Sequence, residues 1–212
     1  MAPRWVCLDV GETLVDETRV FATWADVLGV PRFTFAAVLG GVLARGGDYL
    51  EVFEALGVDD WRERHGQVQE TFGGFQAADL YADSLTSMAA LRADGYRLAV
   101  IANQPARRDA ELRALGVRPD VMAMSEAMAV SKPDPAFFAQ ALRLMGDPRP
   151  SDVAYVGDRV DNDVIPSAAA GMRSVWLRRG PWGLLHRDPE GVAALEIRSL
   201  GELIQRIGEL WD

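Results

Sequence analysis

Cysteine is all but missing from this chain of 212 residues: the single one, Cys7, lies inside the first apolar run. An intrachain disulfide is excluded, a reducing compartment is permitted, and burial is the expected fate of a lone thiol among apolar neighbours. Histidine is scarce too, with only His65 and His186, far apart in sequence, so a zinc site of His and Cys has almost no material. Basic residues never cluster beyond a pair, and 22 Lys and Arg against 31 Asp and Glu leave a formal charge of −9. Nucleic-acid binding requires a basic face, so a small ligand is expected instead. A secretory pattern is also lacking. The opening apolar stretch is broken by Asp9, and no later run reaches membrane-spanning length, so a cytoplasmic protein with no membrane partner is expected. No low-complexity tract or repeat is present, self-association leaves no readable signal, and only Asp188 to Gly191 is expected to lack order. What remains is ordinary globular composition, 49% hydrophobic and 25% charged, at a length that suits one large domain or a core with a modest insert.

Short apolar runs recur with helical patterns between them. Trp5 to Leu8, Leu98 to Ala102, Val153 to Val156 and Ser174 to Leu177 read as buried strands, and Val121 to Met124 as a weaker one. Helical faces show at Leu85, Met88 and Ala89, at Leu112 and Leu115, and at Phe138, Ala141, Leu142 and Met145. A last amphipathic helix carries Leu200, Leu203, Ile204 and Ile207. Strands alternating with helices predict an α/β fold, a Rossmann-like parallel sheet covered on both faces. Residues from about Asp16 to Leu80 break the rhythm with helical stripes alone: Val20, Phe21, Trp24, Val27 and Leu28; Val38, Leu39, Val42 and Leu43; Val52, Phe53 and Leu56; and a fourth helix from Trp61 to Phe75. The expected division is therefore a core of residues 1–15 and 81–212 and an inserted helical unit of 16–80, which leaves the core beside Asp9 and is placed to cover it.

In a parallel sheet, ligands bind outside the carboxyl ends of the strands. Asp9 follows the first strand, Asn103 the second, Asp158 the strand that starts at Val153, and Asp163 stands on the turn into the next helix. With Lys132 in a Ser-Lys-Pro-Asp-Pro loop, acids meeting at one edge suit a hard cation with oxygen ligands, and Mg²⁺ is the natural choice.

The order DVGETL, VIANQ, SKPDP, VGDRVDNDV and the downstream AAAGM resembles the haloacid dehalogenase superfamily of phosphatases and related hydrolases, with the helical insert where many members carry a cap domain. The resemblance implies a Mg²⁺-dependent phosphatase acting on a small phosphorylated metabolite. By the same resemblance, Asp9 matches the nucleophile that forms an aspartyl-phosphate, Thr13 the loop threonine that steadies the site, Asn103 the polar residue of the second motif, and Lys132 the lysine that neutralises nucleophile and phosphoryl oxygens. Asp158 and Asp163 match the acids that hold the metal directly or through water, together with Asp9 and the backbone carbonyl at Gly11.

Two positions depart from the pattern. The family's phosphatases usually place a second aspartate, the general acid and base, where this chain has Gly11. General acid–base catalysis is worth about 10² to 10⁴ in rate, so leaving groups that depart without a proton, such as acyl or aryl phosphates, are expected to be preferred. Ala102 stands where Ser or Thr usually binds the phosphoryl group, and one missing donor costs roughly 10² to 10³. Glu12, one position later than the absent acid, is a candidate replacement; it equally suits a turn cap. A weakened member that binds or senses a phosphorylated ligand is an alternative reading. A dehalogenase is another, opposed because such enzymes need no magnesium, typically lose the first acid of the fourth motif and keep Ser-Asn in the second. Elsewhere, Arg178 and Arg179 are expected to be surface charge more than phosphate ligands. Arg19, Arg32 and Arg45 are open candidates for reaching a substrate, and Trp24, Trp61 and Trp182 fit core or pocket wall alike.

Overall fold

The computed structural model describes residues 3–188 and 191–211; of the Asp188–Gly191 segment expected to lack order, Pro189 and Glu190 lie outside it. A six-stranded, all-parallel sheet runs in the order β3-β2-β1-β4-β5-β6, formed by β1 (Trp5–Leu8), β2 (Arg97–Ala102), β3 (Val121–Met124), β4 (Val153–Gly157), β5 (Arg173–Leu177) and β6 (Leu195–Ile197). The first five coincide with the apolar runs, because a strand buried on both faces has no polar side to show. β6 carries no such run: it is only Leu-Glu-Ile, with Glu196 exposed between buried neighbours. Alternation along β1 sends Val6 and Leu8 into one core layer and Trp5 and Cys7 into the other, so the lone thiol is fully buried.

Helices α5 (Ser84–Ala93), α6 (Arg108–Ala114), α7 (Ser125–Met128), α8 (Pro135–Leu144), α9 (Ile165–Ala169), α10 (Gly180–Leu185) and α11 (Leu200–Arg206) connect or follow the strands. The expected face of α5 is corrected. Leu85 and Ala89 are exposed, while Ser84, Ser87, Met88 and Leu91 are buried. The Ser84 hydroxyl donates to the Leu14 carbonyl at 2.8 Å, and a serine drawn inward by a hydrogen bond is invisible to a hydropathy pattern.

Between β1 and α5 lie α1 (Thr18–Leu28), α2 (Arg32–Ala44), α3 (Glu51–Ala55) and α4 (Trp61–Phe72). They enclose a core of their own built on Trp24, Phe35, Leu39, Leu43, Phe53 and Val68, joined by Trp182 from α10. The chain enters and leaves this unit through adjacent segments: Val15 pairs antiparallel with Leu80, and Asp16 N–H donates to the Asp79 carbonyl at 2.8 Å. Arg19 ties the same junction, pairing with Asp79 at 2.5 Å and donating to the Phe72 carbonyl at 2.7 Å. Arg32 pairs with Asp26 and Arg45 with Glu51 on the surface, so each of these arginines is engaged in an ion pair away from the acids at the strand ends. No single helix among the described residues is long and apolar enough to cross a membrane.

Candidate active site

β1 sits between β2 and β4, so the carboxyl ends of these strands lie side by side at the point where the chain switches direction across the sheet. Asp9 N–H donates to the Val156 carbonyl at 2.9 Å, which extends the β1–β4 ladder onto the acid itself. The loop then closes tightly on the Val10 carbonyl, which accepts from Leu14 and Val15 N–H, each at 2.9 Å. Lys132, the only lysine in the sequence, is 4% exposed. Its ammonium lies 2.8 Å from an Asp9 oxygen and 2.5 Å from an Asp163 oxygen. Asn103 holds this lysine in place: its side-chain oxygen accepts from Lys132 N–H at 2.8 Å, and its amide donates to the Lys132 carbonyl at 3.0 Å.

Asp158 follows β4, and its carbonyl accepts from the Trp176 indole at 2.9 Å. One of its carboxylate oxygens is buried without a hydrogen-bond partner. Asp163 stands on a wide π-helical turn, Val160–Val164, and its second oxygen accepts from Arg159 N–H at 2.9 Å. Gly157 is required for this approach, because a Cβ there would lie 2.3 Å from the Asp163 carboxyl carbon. Oxygens of Asp9, Asp158 and Asp163 all lie within 4.8 Å of one another.

Three buried carboxylates thus cluster beside one buried ammonium, which pairs with two of them. Burial pushes Asp9 up to about 6, against the pull of Lys132. Burial, then the charges of Asp163 and Asp9, hold Asp158 well above the usual carboxylate range. Burial opposes the Lys132 charge, but Asp163 and Asp9 outweigh it and raise the lysine above its ordinary value. A charge excess of this kind, an orphaned carboxylate oxygen and an all-oxygen donor set fit a small hard cation such as Mg²⁺.

The other candidates are placed as follows. The Thr13 hydroxyl is fully buried with no hydrogen-bond partner, while its carbonyl accepts from Arg179 at 3.1 Å. Both Glu12 oxygens are engaged, one by the Tyr81 hydroxyl and one by Glu17 N–H at 3.0 Å, and Glu12 itself holds a left-handed backbone at φ 50°. Arg179 is not surface charge: it pairs with Asp83 at 2.5 Å and lies over the Tyr81 ring. Arg178 pairs with Glu196 at 3.0 Å. Neither contacts the acids. One residue escaped the sequence reading: Glu17, just before α1, lines the same cavity as Asp9 and Lys132. Burial, with the Glu12 and Asp9 carboxylates nearby, pushes it up to about 8. Its only sequence signal is its position, an acid where the chain leaves the sheet for the insert.

A family model described as haloacid dehalogenase-like hydrolase matches residues 3–171. The chain belongs to the haloacid dehalogenase-like hydrolases. It is 33% identical over 134 residues to a glyceraldehyde 3-phosphate phosphatase of Methanopyrus kandleri, a match covering 61% of this chain and 57% of that protein. The chain spans little more than half the length of the curated relatives it matches. Among solved structures it resembles a predicted phosphoglycolate phosphatase of Haemophilus somnus, with a TM-score of 0.73 at 19% identity over 98% of this chain and 99% of that one. A 2-haloacid dehalogenase of Pseudomonas syringae gives 0.63 at 23% identity over 97% and 98%. Identities this low establish the shared fold, and both chemistries are found on it.

In this haloacid dehalogenase-like hydrolase the acids open into a cavity of about 440 Å³ between the sheet and the insert. Asp9, Lys132 and Asp158 line it together with Phe21, Trp24, Phe53, Trp61 and Trp182. Phe53 stacks on Trp61 with ring centres 4.4 Å apart, and Phe21 meets Trp182 at 5.9 Å. The tryptophans left open by the sequence are thus both core and wall.

Proposed function

We propose that the protein is a Mg²⁺-dependent phosphatase of a small phosphorylated metabolite with an apolar body, working through an aspartyl-phosphate on Asp9. The observation that carries this reading is the Lys132 ammonium set between Asp9 and Asp163 beside the orphaned Asp158 oxygen. The dehalogenase reading gives no use for that unpaired buried acid. The phosphatase named above supports a phosphate substrate, and the aromatic wall supports an apolar leaving group.

In the proposed reaction an Asp9 oxygen attacks phosphorus and the bond to the leaving oxygen breaks; water then cleaves the aspartyl-phosphate. Asp9, Asp158 and the Gly11 carbonyl would hold the metal, with Asp163 directly or through water, and the metal would supply positive charge to the phosphoryl oxygens. Lys132 adds its own charge at the nucleophile and Asp163 orients it. Asn103 positions Lys132 through the backbone. Ala102 offers no donor, so Lys132 carries more of the oxyanion load. Residues 16–80 act as a cap over the core of 1–15 and 81–212, admitting substrate and then excluding water.

Phosphate release from aryl, acyl and sugar phosphates, measured with and without Mg²⁺, tests the reading. Turnover should require the metal and fall at least about 10³-fold in Asp9→Asn. Halide release from a 2-haloacid without metal, and no phosphate release, would replace it with the dehalogenase.

A further inference from the structure

The space left by the missing side chain at position 11 is filled from elsewhere. A Cβ on Gly11 would lie 2.7 Å and 3.1 Å from the two Glu17 carboxylate oxygens and 2.8 Å from the carbon between them. Gly11 does not have a left-handed backbone, so its conformation admits any residue, and what bars a side chain there is the Glu17 carboxylate. Glu17 occupies the residue position before α1 and makes no cap hydrogen bond, so its carboxylate is not tied to the helix. Among the described residues the one side-chain partner of its carboxylate is the Gln104 amide at 3.5 Å, the outer limit of a hydrogen bond. It faces the cavity that Asp9, Lys132 and Asp158 also line. Glu12, the other acid of this loop, has both oxygens committed to Tyr81 and to the Glu17 backbone. The Glu17 carboxylate therefore turns into the cavity almost unpartnered.

We propose that Glu17 is the acid–base residue of this enzyme, brought from the start of the cap into the space that a side chain at position 11 would occupy. The inference rests on the phosphatase reading above and deepens it. As Asp9 forms its bond to phosphorus and the bond to the leaving oxygen breaks, the Glu17 carboxyl passes its proton to that oxygen, giving the free alcohol, the aspartyl-phosphate and a Glu17 carboxylate. Water then attacks phosphorus, its proton goes to Glu17, and the bond to Asp9 breaks. Inorganic phosphate leaves and both acids return to their starting state. The restriction to activated leaving groups expected from Gly11 disappears. Because Glu17 belongs to the first residues of the insert, it reaches the leaving oxygen only when the cap is seated.

Glu17→Gln keeps size and shape and removes the proton. With 4-nitrophenyl phosphate, whose leaving group departs unprotonated, kcat/KM should be nearly unchanged while kcat falls, with a burst of nitrophenol and phosphoprotein detectable by intact mass. With an alkyl phosphate of similar size, kcat/KM should fall about 10²-fold or more. Gly11→Asp combined with Glu17→Ala returns a carboxylate to the same space and should restore alkyl phosphate turnover above that of Glu17→Ala alone. Equal losses on both substrates, unchanged turnover on both, or no recovery in the double variant would overturn the assignment. A wild-type protein inactive on both esters, or an Asp9→Asn protein as active as wild type, would instead remove the phosphatase reading beneath it.

Discussion

Replacing Asp158 with Asn separates cation binding from chemistry. Its buried, unpartnered oxygen is the donor the metal should satisfy, so Mg²⁺ should raise the melting temperature of the wild-type protein and leave Asp158→Asn unmoved. At about 100 times the dissociation constant the wild-type gain is about 2.7 kcal/mol, read by thermal melts without any substrate. Gly157→Ala tests close approach. Its added methyl would meet Asp163 at 2.3 Å from a fully buried strand, and the expected loss is about 1–3 kcal/mol with a drop in turnover, as Asp163 loses its hold on Lys132. Asp9 and Asp158 were legible because strand ends in a parallel sheet must converge and each follows an apolar run within two residues, while Lys132 and Asp163 were legible through the order of the motifs that resemble the family. Glu17 was not, because the direction of its side chain depends on how α1 leaves the loop, a three-dimensional fact with no periodicity. The face expected from Leu85 and Ala89 fails for a related reason: the Ser84 hydrogen bond to the Leu14 carbonyl, which hydropathy does not register, turns the serine side of α5 inward.

The loop after β1 is braced from outside by an element that reads as ordinary surface. Arg179, at the start of α10, pairs with Asp83, donates to the Thr13 carbonyl and covers the Tyr81 ring, while Tyr81 fixes Glu12. Arg179→Ala should cost about 1.5–3 kcal/mol, the range for hydrogen bonds to charged groups, and lower kcat more than it raises KM, measured by denaturant melts and steady-state kinetics. α10 also carries Trp182, 5% exposed, which closes the core of the inserted helices and the cavity wall together. Trp182→Ala should destabilise by about 3–5 kcal/mol and raise KM for aryl phosphates more than for small alkyl ones. Neither role is visible in Leu177 to Gly183 as written: two arginines and a Gly-Pro-Trp suggest a turn, and their partners lie far away along the chain.

Across the whole molecule, crowded acids set the pH response. Asp9 is raised from 3.8 to about 6 and Glu17 from 4.5 to about 8, burial being the largest cause for each. A folded state that holds protons more tightly than the unfolded chain is favoured below the ordinary carboxylate range, and that stabilisation is lost as pH rises through the folded values. The protein in chelator should therefore melt at progressively lower temperature from about pH 4.5 to about 8, and Mg²⁺ should flatten the decline. Melts at several pH values with and without the metal check this. The positive charge of the molecule has a consequence of its own. All basic side chains but one are arginines, and the one lysine is sealed in the acidic centre. Amine-directed reagents therefore find no lysine on the folded surface, and the rate at which the Lys132 side chain becomes labelled is a clock for the opening of that centre, read by mass spectrometry without engineering a probe.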